Sequence, residues 1–413
     1  MVKGDDYNGG AQMTFYNSAT AGTGTTFSVT GGFGVYALGG TVWFGNSSCA
    51  DHGTFETFRG DDSENGEVVF TDNATAGNGT FTNNGGEYRS DGRSQNGGET
   101  VFAFSATAGD GTFTNHGGAA SGALGGRIYF LGSGKAGIAA TAGNGFFTNN
   151  GGTVSGAKGG SVNFVANGAD PTAADGTFIN NAGTVSGAGG GGTLFSSHDA
   201  GNATLIANGG PGDGGFIHFT ARAVVGTARV KVFGNGNLDL SRGGNNQPVT
   251  DTIGSIEGDG LVFLGNNNLA VGRNNLSTAF TGKIQDGGVY GGGMGGSLTK
   301  IGTGKLVLSH ENFYSGSTTI KRGRLVVNNA SGSGTGTGPV FVNGGALGGI
   351  GTIAGAVVVG NGSGSRALLV PGANATQPGK LSMQSGLTFN SDATYKIQIT
   401  VPQVPRTRFS RTG

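Results

Sequence analysis

One phrase recurs through the first half of the sequence, and its spacing constrains the fold more than any other feature. Residues 74–86 read Ala-Thr-Ala-Gly-Asn-Gly-Thr-Phe-Thr-Asn-Asn-Gly-Gly. Close copies occupy residues 106–118 and 140–152, and a looser copy occupies residues 175–183. The phenylalanine of the phrase recurs in steps of 32, 34 and 31 residues, at Phe81, Phe113, Phe147 and Phe178. A period of this size indicates stacked units that cannot bury their apolar sides alone.

The composition between these copies predicts strands. Glycine accounts for 91 of 413 residues and often stands in pairs between short apolar runs. These runs are rich in Val, Ile, Phe and Thr, which favour strands, and four clear examples are 67–70, 101–104, 127–131 and 261–264. Only 12% of the residues are charged, too few for the high net charge typical of disordered chains. No stretch has helical periodicity, so we predict an all-β protein.

Charge and cysteine content narrow the possible partners. The formal net charge is zero, which gives no attraction toward nucleic acid or an anionic membrane. Cys49 is the only cysteine, so no disulfide forms within the chain. The five histidines lie outside the spacings of zinc sites, and no cofactor motif is complete. We therefore expect no nucleic-acid partner, no cofactor and no metal.

One repeat can be interpreted as one coil of a right-handed parallel β-helix. Three short strands separated by glycine-rich turns are predicted at 146–149, 153–155 and 161–165. Alternation along these strands places four side chains in the core: Phe147, Val154, Val162 and Phe164. At roughly 28 residues per coil and about 4.8 Å per coil, the chain predicts about 14 coils and a rod of roughly 60–70 Å.

Polar residues of the phrase recur at fixed registers. One asparagine position predicts an internal amide ladder along the axis, formed by Asn83, Asn115, Asn149 and Asn180. Threonines that flank the inward phenylalanine, such as Thr80 and Thr82, are predicted to face outward. Outward threonine ladders can bind ice, but Phe146 and Ile179 interrupt this one, so strand preference alone explains the threonines.

The best candidate for a site is the densest charge in the chain, within residues 51–67. Its candidate residues are Asp51, Glu56, Arg59, Asp61, Asp62 and Glu64. Acids and an arginine on one face of a β-helix can hold calcium or cleave acidic sugars. The next coil adds only Glu87, Arg89 and Asp91 at matching positions, which are too few charged residues for a catalytic groove. We interpret the segment as a solvated loop and predict no catalytic residues.

The C-terminal third has a different pattern. It follows L-x-K-x-G-x-G-x-L-x-L-x-x-x-N-x-Y-x-G-x-T-x-I-x-x-G-x-L, with matches at Leu298, Lys300, Gly302, Gly304, Leu306, Leu308, Asn312, Tyr314, Gly316, Thr318, Ile320, Gly323 and Leu325. This pattern resembles the autotransporter-associated β-strand repeat of bacterial surface proteins. The later segments 342–355, 369–372, 378–381 and 395–399 are similar to the last coils of an autotransporter passenger.

The resemblance implies a passenger domain exported by type V secretion to the cell surface, with C-terminal coils that fold first. The start at residues 1–7 has no apolar stretch typical of a signal peptide, and residues 401–413 continue no pattern. We therefore expect the chain to be part of a longer product that is linked to an outer-membrane barrel.

The predicted organisation has four segments, at 1–222, 223–296, 297–400 and a disordered tail at 401–413. The predicted function is a monomeric, non-enzymatic stalk on the cell surface or secreted from it. Its role would be adhesive or structural, with a host or neighbour-cell glycan or protein as partner. The alternative is a β-helical polysaccharide lyase or hydrolase that acts on acidic glycans and uses the residues of 51–67.

Overall fold

The structure is a computed structural model, which describes residues 10–32, 38–60, 65–87, 96–196, 199–220, 226–241, 247–289, 291, 293–372 and 379–397. The tail predicted to be disordered, at 401–413, lies outside the described residues. The described residues form strands and turns with no helix, and accordingly no helix that is long and apolar enough to cross a membrane.

In chain order the strands are β1 Gln12–Phe15, β2 Thr26–Val29, β3 Thr41–Phe44, β4 Thr54–Thr57, β5 Glu67–Phe70, β6 Thr80–Asn83, β7 Glu99–Phe102, β8 Thr112–Asn115, β9 Arg127–Leu131, β10 Phe146–Asn149, β11 Ser161–Val165, β12 Thr177–Asn180, β13 Gly192–Phe195, β14 Thr204–Ala207, β15 Phe216–Phe219, β16 Arg229–Val232, β17 Asn237–Asp239, β18 Thr250–Ile253, β19 Ser255–Gly258, β20 Leu261–Phe263, β21 Asn268–Val271, β22 Thr278–Phe280, β23 Lys283–Gln285, β24 Ser297–Lys300, β25 Lys305–Leu308, β26 Thr318–Ile320, β27 Arg324–Val327, β28 Val340–Val342, β29 Gly345–Gly349, β30 Thr352–Ile353, β31 Val357–Val359, β32 Ala367–Pro371, β33 Ser382–Met383, β34 Leu387–Phe389 and β35 Ala393–Tyr395.

Three long parallel sheets run along the molecule, and they confirm the predicted parallel β-helix. The first sheet has 11 strands in the order β1-β3-β5-β7-β9-β11-β13-β15-β17-β20-β23. The second sheet has 15 strands in the order β2-β4-β6-β8-β10-β12-β14-β16-β19-β22-β25-β27-β29-β32-β35. The third sheet has seven strands in the order β18-β21-β24-β26-β28-β31-β34, and β30 pairs with β33 separately. At about 4.8 Å per strand, the second sheet spans roughly 67 Å.

The third side of the coil differs between the two halves of the rod. Before residue 250 the described coils are joined there by isolated parallel bridges along Thr20, Cys49, Thr75, Thr107, Thr141, Thr172 and Asp199. From β18 onward the same side carries strands of three or four residues. The division into segments at 222 and 296 stays a prediction.

The predicted strand at 153–155 is wrong, because this segment forms a turn and Val154 is 38% exposed. The third side is made instead by the Ala-Thr-Ala part of the phrase, where Thr141 bridges Thr107 and Thr172. Its flanking residues Ala140 and Ala142 are fully buried, so the small side chains let the chain pass close to the core. The other three predicted core residues, Phe147, Val162 and Phe164, are fully buried as expected.

Two stacks of phenylalanine rings fill the core of the N-terminal half. One stack follows the first sheet, with centroids 4.6–4.9 Å apart, through Phe15, Phe44, Phe70, Phe102, Phe130, Phe164, Phe195 and Phe219. The other follows the second sheet, at 4.6–4.8 Å, through Phe27, Phe55, Phe81, Phe113, Phe147 and Phe178. Rings of the two stacks meet edge to face, as for Phe130 and Phe147 at 5.8 Å. Burial of each ring contributes about 1.5–3 kcal/mol to folding.

The predicted asparagine ladder is confirmed. The side chains of Asn83, Asn115, Asn149 and Asn180 are fully buried and each donates to the next, at 2.8, 2.7 and 2.8 Å. The ladder begins where the Thr57 hydroxyl donates to the Asn83 side-chain oxygen at 2.6 Å. It ends at Asn180, whose amide donates to the Ile206 carbonyl at 3.1 Å. Each buried amide therefore has partners along the axis, which burial requires.

The remaining residues of the phrase shape its turn. The Thr75 hydroxyl accepts from the backbone of Gly77 at 3.0 Å, and Gly77 has a φ of 60°, which favours glycine. A Cβ on Gly79 would lie 2.8 Å from the Phe81 ring, so a larger residue would push the ring out of the stack. The phrase therefore specifies one turn and one core position of each coil.

Candidate functional site

The predicted charged segment is spread around one coil. Asp51 lies in the turn before β4, with a φ of 54°, and its carboxylate contacts the His52 ring nitrogen at 2.7 Å. Glu56 faces outward from the middle of β4, between Ser28 and Thr82 of the neighbouring strands. Arg59 lies in the corner after β4, 3.5 Å from the Glu87 carboxylate of the next coil.

The corner groove beside Arg59 is the part of this segment that could receive a ligand. It has a volume of about 620 Å³, and its lining includes Arg59, Glu87, Asn84 and His116. The candidates Asp61, Asp62 and Glu64 lie outside the described residues, as do Arg89 and Asp91. Within the described parts of the chain, no three His, Cys, Asp or Glu side chains are grouped to hold a metal ion.

The outward threonines lie on a flat face of the second sheet. Thr80 pairs in register with Thr112, and Thr82 pairs with Thr114. The next strand places Phe146 in the first column, where its side chain is 42% exposed. Thr177 and Thr204 resume the first column, but Ile179 and Ile206 occupy the second, so paired threonines extend over few coils.

A column of charges on the first sheet was missed from the sequence. Glu67, Glu99 and Arg127 are the first residues of β5, β7 and β9, and they lie side by side in register. Burial raises the pKa of Glu99, although Arg127 and a hydrogen bond from Asn65 oppose the shift. The three residues are separated by about 30 positions each, so only the strand register places them together.

The pattern of residues 298–325 spans one full coil and part of the next, since β24 pairs with β26 and β25 pairs with β27. Its apolar positions are buried in the core, at Leu298, Leu306, Leu308, Ile320 and Leu325. Asn312 ties two neighbouring coils, because its side-chain oxygen accepts from the Ile284 backbone at 2.8 Å and its amide donates to Gly334 at 2.7 Å. Tyr314 is fully buried, and its hydroxyl lies 2.5 Å from the Thr318 hydroxyl.

The lysine of the pattern has an unusual place for a charged residue. Lys300 is almost completely buried, and its ammonium donates to the carbonyls of Ile301, Gly302 and Arg322. Burial lowers the pKa of Lys300 to about 8. The lysine therefore closes a coil corner by satisfying carbonyls that have no strand partner there.

The glycines of the pattern allow close coil contacts. Gly302 and Gly323 have φ values of 65° and 72°, which favour glycine. A Cβ on Gly304 or Gly316 would overlap the backbone of the preceding coil. The pattern therefore encodes coil geometry at the sides, corners and core.

The fold defines the class of the protein as a parallel β-helix of stacked coils. Residues 298–327 match the family model of the passenger-associated-transport-repeat, which confirms the resemblance to autotransporter passenger repeats. Neither the curated proteins nor the solved structures contain a match to this chain.

Proposed function

We propose that this chain is a non-enzymatic passenger stalk, displayed on the cell surface or secreted, with an adhesive or structural role. The repeat at residues 298–327 carries the proposal, because the family model that it matches describes repeats associated with passenger transport. The continuous phenylalanine stacks support a rod, since each coil buries its core only against its neighbours. A rod of this kind presents long outer faces on which weak contacts can add together.

Protease shaving of intact cells tests the surface location. The full-length natural gene, with an epitope inserted at the exposed turn around Gly362, is expressed in its own host. We expect external protease to remove the epitope while a cytoplasmic marker stays intact, or the epitope to appear in the medium. An epitope that is cleaved only after the cells are lysed would contradict the proposal.

The enzyme alternative has a separate test. Incubation of the purified chain with a uronate polymer should release no unsaturated or reducing ends. Cleavage that disappears in Asp61→Ala and Asp62→Ala variants would replace the stalk with a polysaccharide-processing enzyme. The described charges do not favour that alternative, because they are not grouped. Asp51 contacts His52 before β4, and Arg59 contacts Glu87 after β4.

A further inference from the structure

The outer face of the first sheet carries a groove that the stalk function does not require. It has a volume of about 780 Å³ and crosses the coils that contain β9, β11, β13, β15, β17 and β20. The outward side chains of these strands form its floor. We call it the outer groove and define it by Arg127, Tyr129, Leu194, Phe216, His218 and Phe263.

Half-buried apolar side chains distinguish the floor of the outer groove from the threonine face of the second sheet. Tyr129, Leu194 and Phe263 share one outward column along the axis. The preceding members of this column, Val69 and Val101, are only 6% and 9% exposed. The column therefore opens to solvent at Tyr129, Asn163 and Leu194, where ligands can reach it. It is closed again at His218 and Asp239, which are 7% and 1% exposed.

A glycine makes room for the main aromatic platform. The Phe216 ring lies over Gly192 of the neighbouring strand, in the space that a Cβ on Gly192 would occupy. The ring of His218 lies 4.3 Å from the Phe216 ring and is tilted by 33°. Burial lowers the pKa of His218, although the neighbouring Asp239 carboxylate opposes the shift, and the His218 ring is only 7% exposed beneath this platform.

The opposite end of the outer groove is polar and carries the cations Arg127 and Lys158, with Glu99 in register beside Arg127; the exposed Asp213 also lines the groove. Arg127 donates to the Tyr129 hydroxyl at 3.3 Å and to the Asn96 side chain at 3.0 Å, which fixes its guanidinium over the floor. Lys158 is exposed at the rim of the same end. Asn163 lies between this end and the aromatic platform; its amide nitrogen donates to Ser161 at 3.0 Å and to the Ile128 carbonyl at 3.4 Å, and its side-chain oxygen is the group it offers to a ligand.

The rims leave the floor accessible along the axis. On one side the corner glycines Gly125, Gly159 and Gly190 stack so closely that a Cβ on each would strike the backbone of the next coil. Val289 also lines the groove, and its backbone donates to the Asp239 carboxylate at 2.7 Å, between His218 and Phe263 along the axis. The groove is therefore a trough with a bare backbone wall, a polar end that carries two cations and an aromatic end.

We propose that the outer groove binds an extended anionic glycan, aligned with the rod axis. The coil rise of about 4.8 Å is close to the length of one hexopyranose unit, so each successive coil would contact one successive sugar. The apolar faces of the sugars would stack on Phe216, and their hydroxyls would meet the side-chain oxygen of Asn163. The acidic substituent of a uronic sugar pairs with Arg127 and Lys158, because an arginine fork matches a carboxylate.

Calorimetry with the purified full chain tests the inference. The probes are hexagalacturonate, neutral cellohexaose and hexaglutamate. We expect hexagalacturonate to bind most tightly, and Phe216→Ala to weaken both sugars about tenfold or more. Arg127→Gln should weaken hexagalacturonate about tenfold and leave cellohexaose unchanged, with weaker binding of the anionic probe at high salt.

Matched controls lie outside the groove. Phe146→Ala and Lys305→Gln remove an exposed ring and an exposed cation elsewhere and should change neither affinity. Lys158→Gln, at the exposed rim, replaces Arg127→Gln if thermal melting shows that the latter unfolds. Three results would overturn the proposal: no binding of either sugar, equal binding of hexaglutamate, or binding that is unchanged in both Phe216→Ala and the cation variants.

The inference deepens the adhesive part of the proposed function and rests on it for its biological setting. Binding is measured on purified protein and does not depend on where the chain is located. Failed binding with successful protease shaving would leave a surface stalk without this glycan site. Successful binding with failed shaving would leave a glycan-binding rod of another location.

Discussion

Asn83 donates its side-chain amide to the side-chain oxygen of Asn115 at 2.8 Å, although 32 positions separate the two residues. The same bond is repeated in the next two coils, and all four asparagines are fully buried. A buried amide is stabilising only when its partners are present, so the ladder makes each coil depend on the next.

Removal of one member of this ladder should destabilise the N-terminal coils. In Asn115→Ala the amide of Asn83 loses its acceptor and the oxygen of Asn149 loses its donor, so we expect a loss of about 2–4 kcal/mol. Urea unfolding measures the change. The control Asn78→Ala, at an exposed turn position of the same phrase, should change stability by less than about 0.5 kcal/mol. Equal losses in the two variants would contradict the ladder's role.

The glycine before the core phenylalanine is a steric requirement. A Cβ on Gly111 would lie 2.8 Å from the Phe113 ring and 3.0 Å from the Ala108 carbonyl. Gly111→Ala should therefore displace the ring and destabilise the protein by about 1–3 kcal/mol in thermal or urea unfolding. Gly386→Ala is the control, because nothing lies within 4 Å of its Cβ position. A neutral Gly111→Ala would show that the stack tolerates a shifted ring.

Lys300 should give the C-terminal coils a distinct pH dependence. Lys300→Met leaves carbonyls of Ile301, Gly302 and Arg322 without their donor, at a cost of about 1–3 kcal/mol. The pKa of Lys300 is lowered to about 8 in the folded state, against roughly 10.4 when unfolded. Between these values the unfolded chain binds more protons, so stability from this group rises with pH.

The measurement is the difference in unfolding free energy between the native chain and Lys300→Met, taken from pH 7.5 to pH 10. The difference should widen in favour of the native chain as the pH rises. Lys305→Met, at an exposed position of the next strand, serves as the control. A difference that stays constant across this range would show that the two states hold the Lys300 proton equally.

Glu99 should have the opposite dependence. Burial raises its pKa in the folded state, so the folded chain binds more protons between the unfolded value, about 4.3, and the raised value. Stability from this group therefore falls as the pH rises through that window. Glu99→Gln should be more stable than the native chain at pH 7 and lose this advantage near pH 4, when followed by thermal unfolding. An advantage of Glu99→Gln that stays the same from pH 4 to pH 7 would contradict this prediction.

The repeat made most of the core predictable. The phenylalanine and asparagine of the phrase recur at one register, and alternation alone sends Phe147 and Asn149 to the same side of a strand. The predicted second strand, which contains Val154, is wrong. The prediction assumed three strands in each coil, whereas the third side of these coils is joined by a single threonine bridge. A sequence shows where small residues such as Ala140 stand but not how closely the chain approaches the core.

The candidate sites were less predictable than the core. The charged residues of 51–67 are neighbours in sequence, yet a coil distributes Asp51, Glu56 and Arg59 over a turn, a strand and a corner. The residues of the outer groove are instead distant in sequence and share one column of the sheet. Tyr129 and Phe263 are 134 positions apart. Such columns depend on register and on loop lengths that the repeat does not specify.

The strand pairing on the third side of the coil affects how the rod bends. Before residue 250 one bridge per coil joins that side, whereas the following coils carry paired strands there. The first sheet in turn ends at β23, and beyond it the described coils are joined on that side by the bridge of Gln285 to Phe313 and by the β30–β33 pair. Under a bending load the compliant seam of the rod would therefore change from the third side in the N-terminal half to the first side in the C-terminal half.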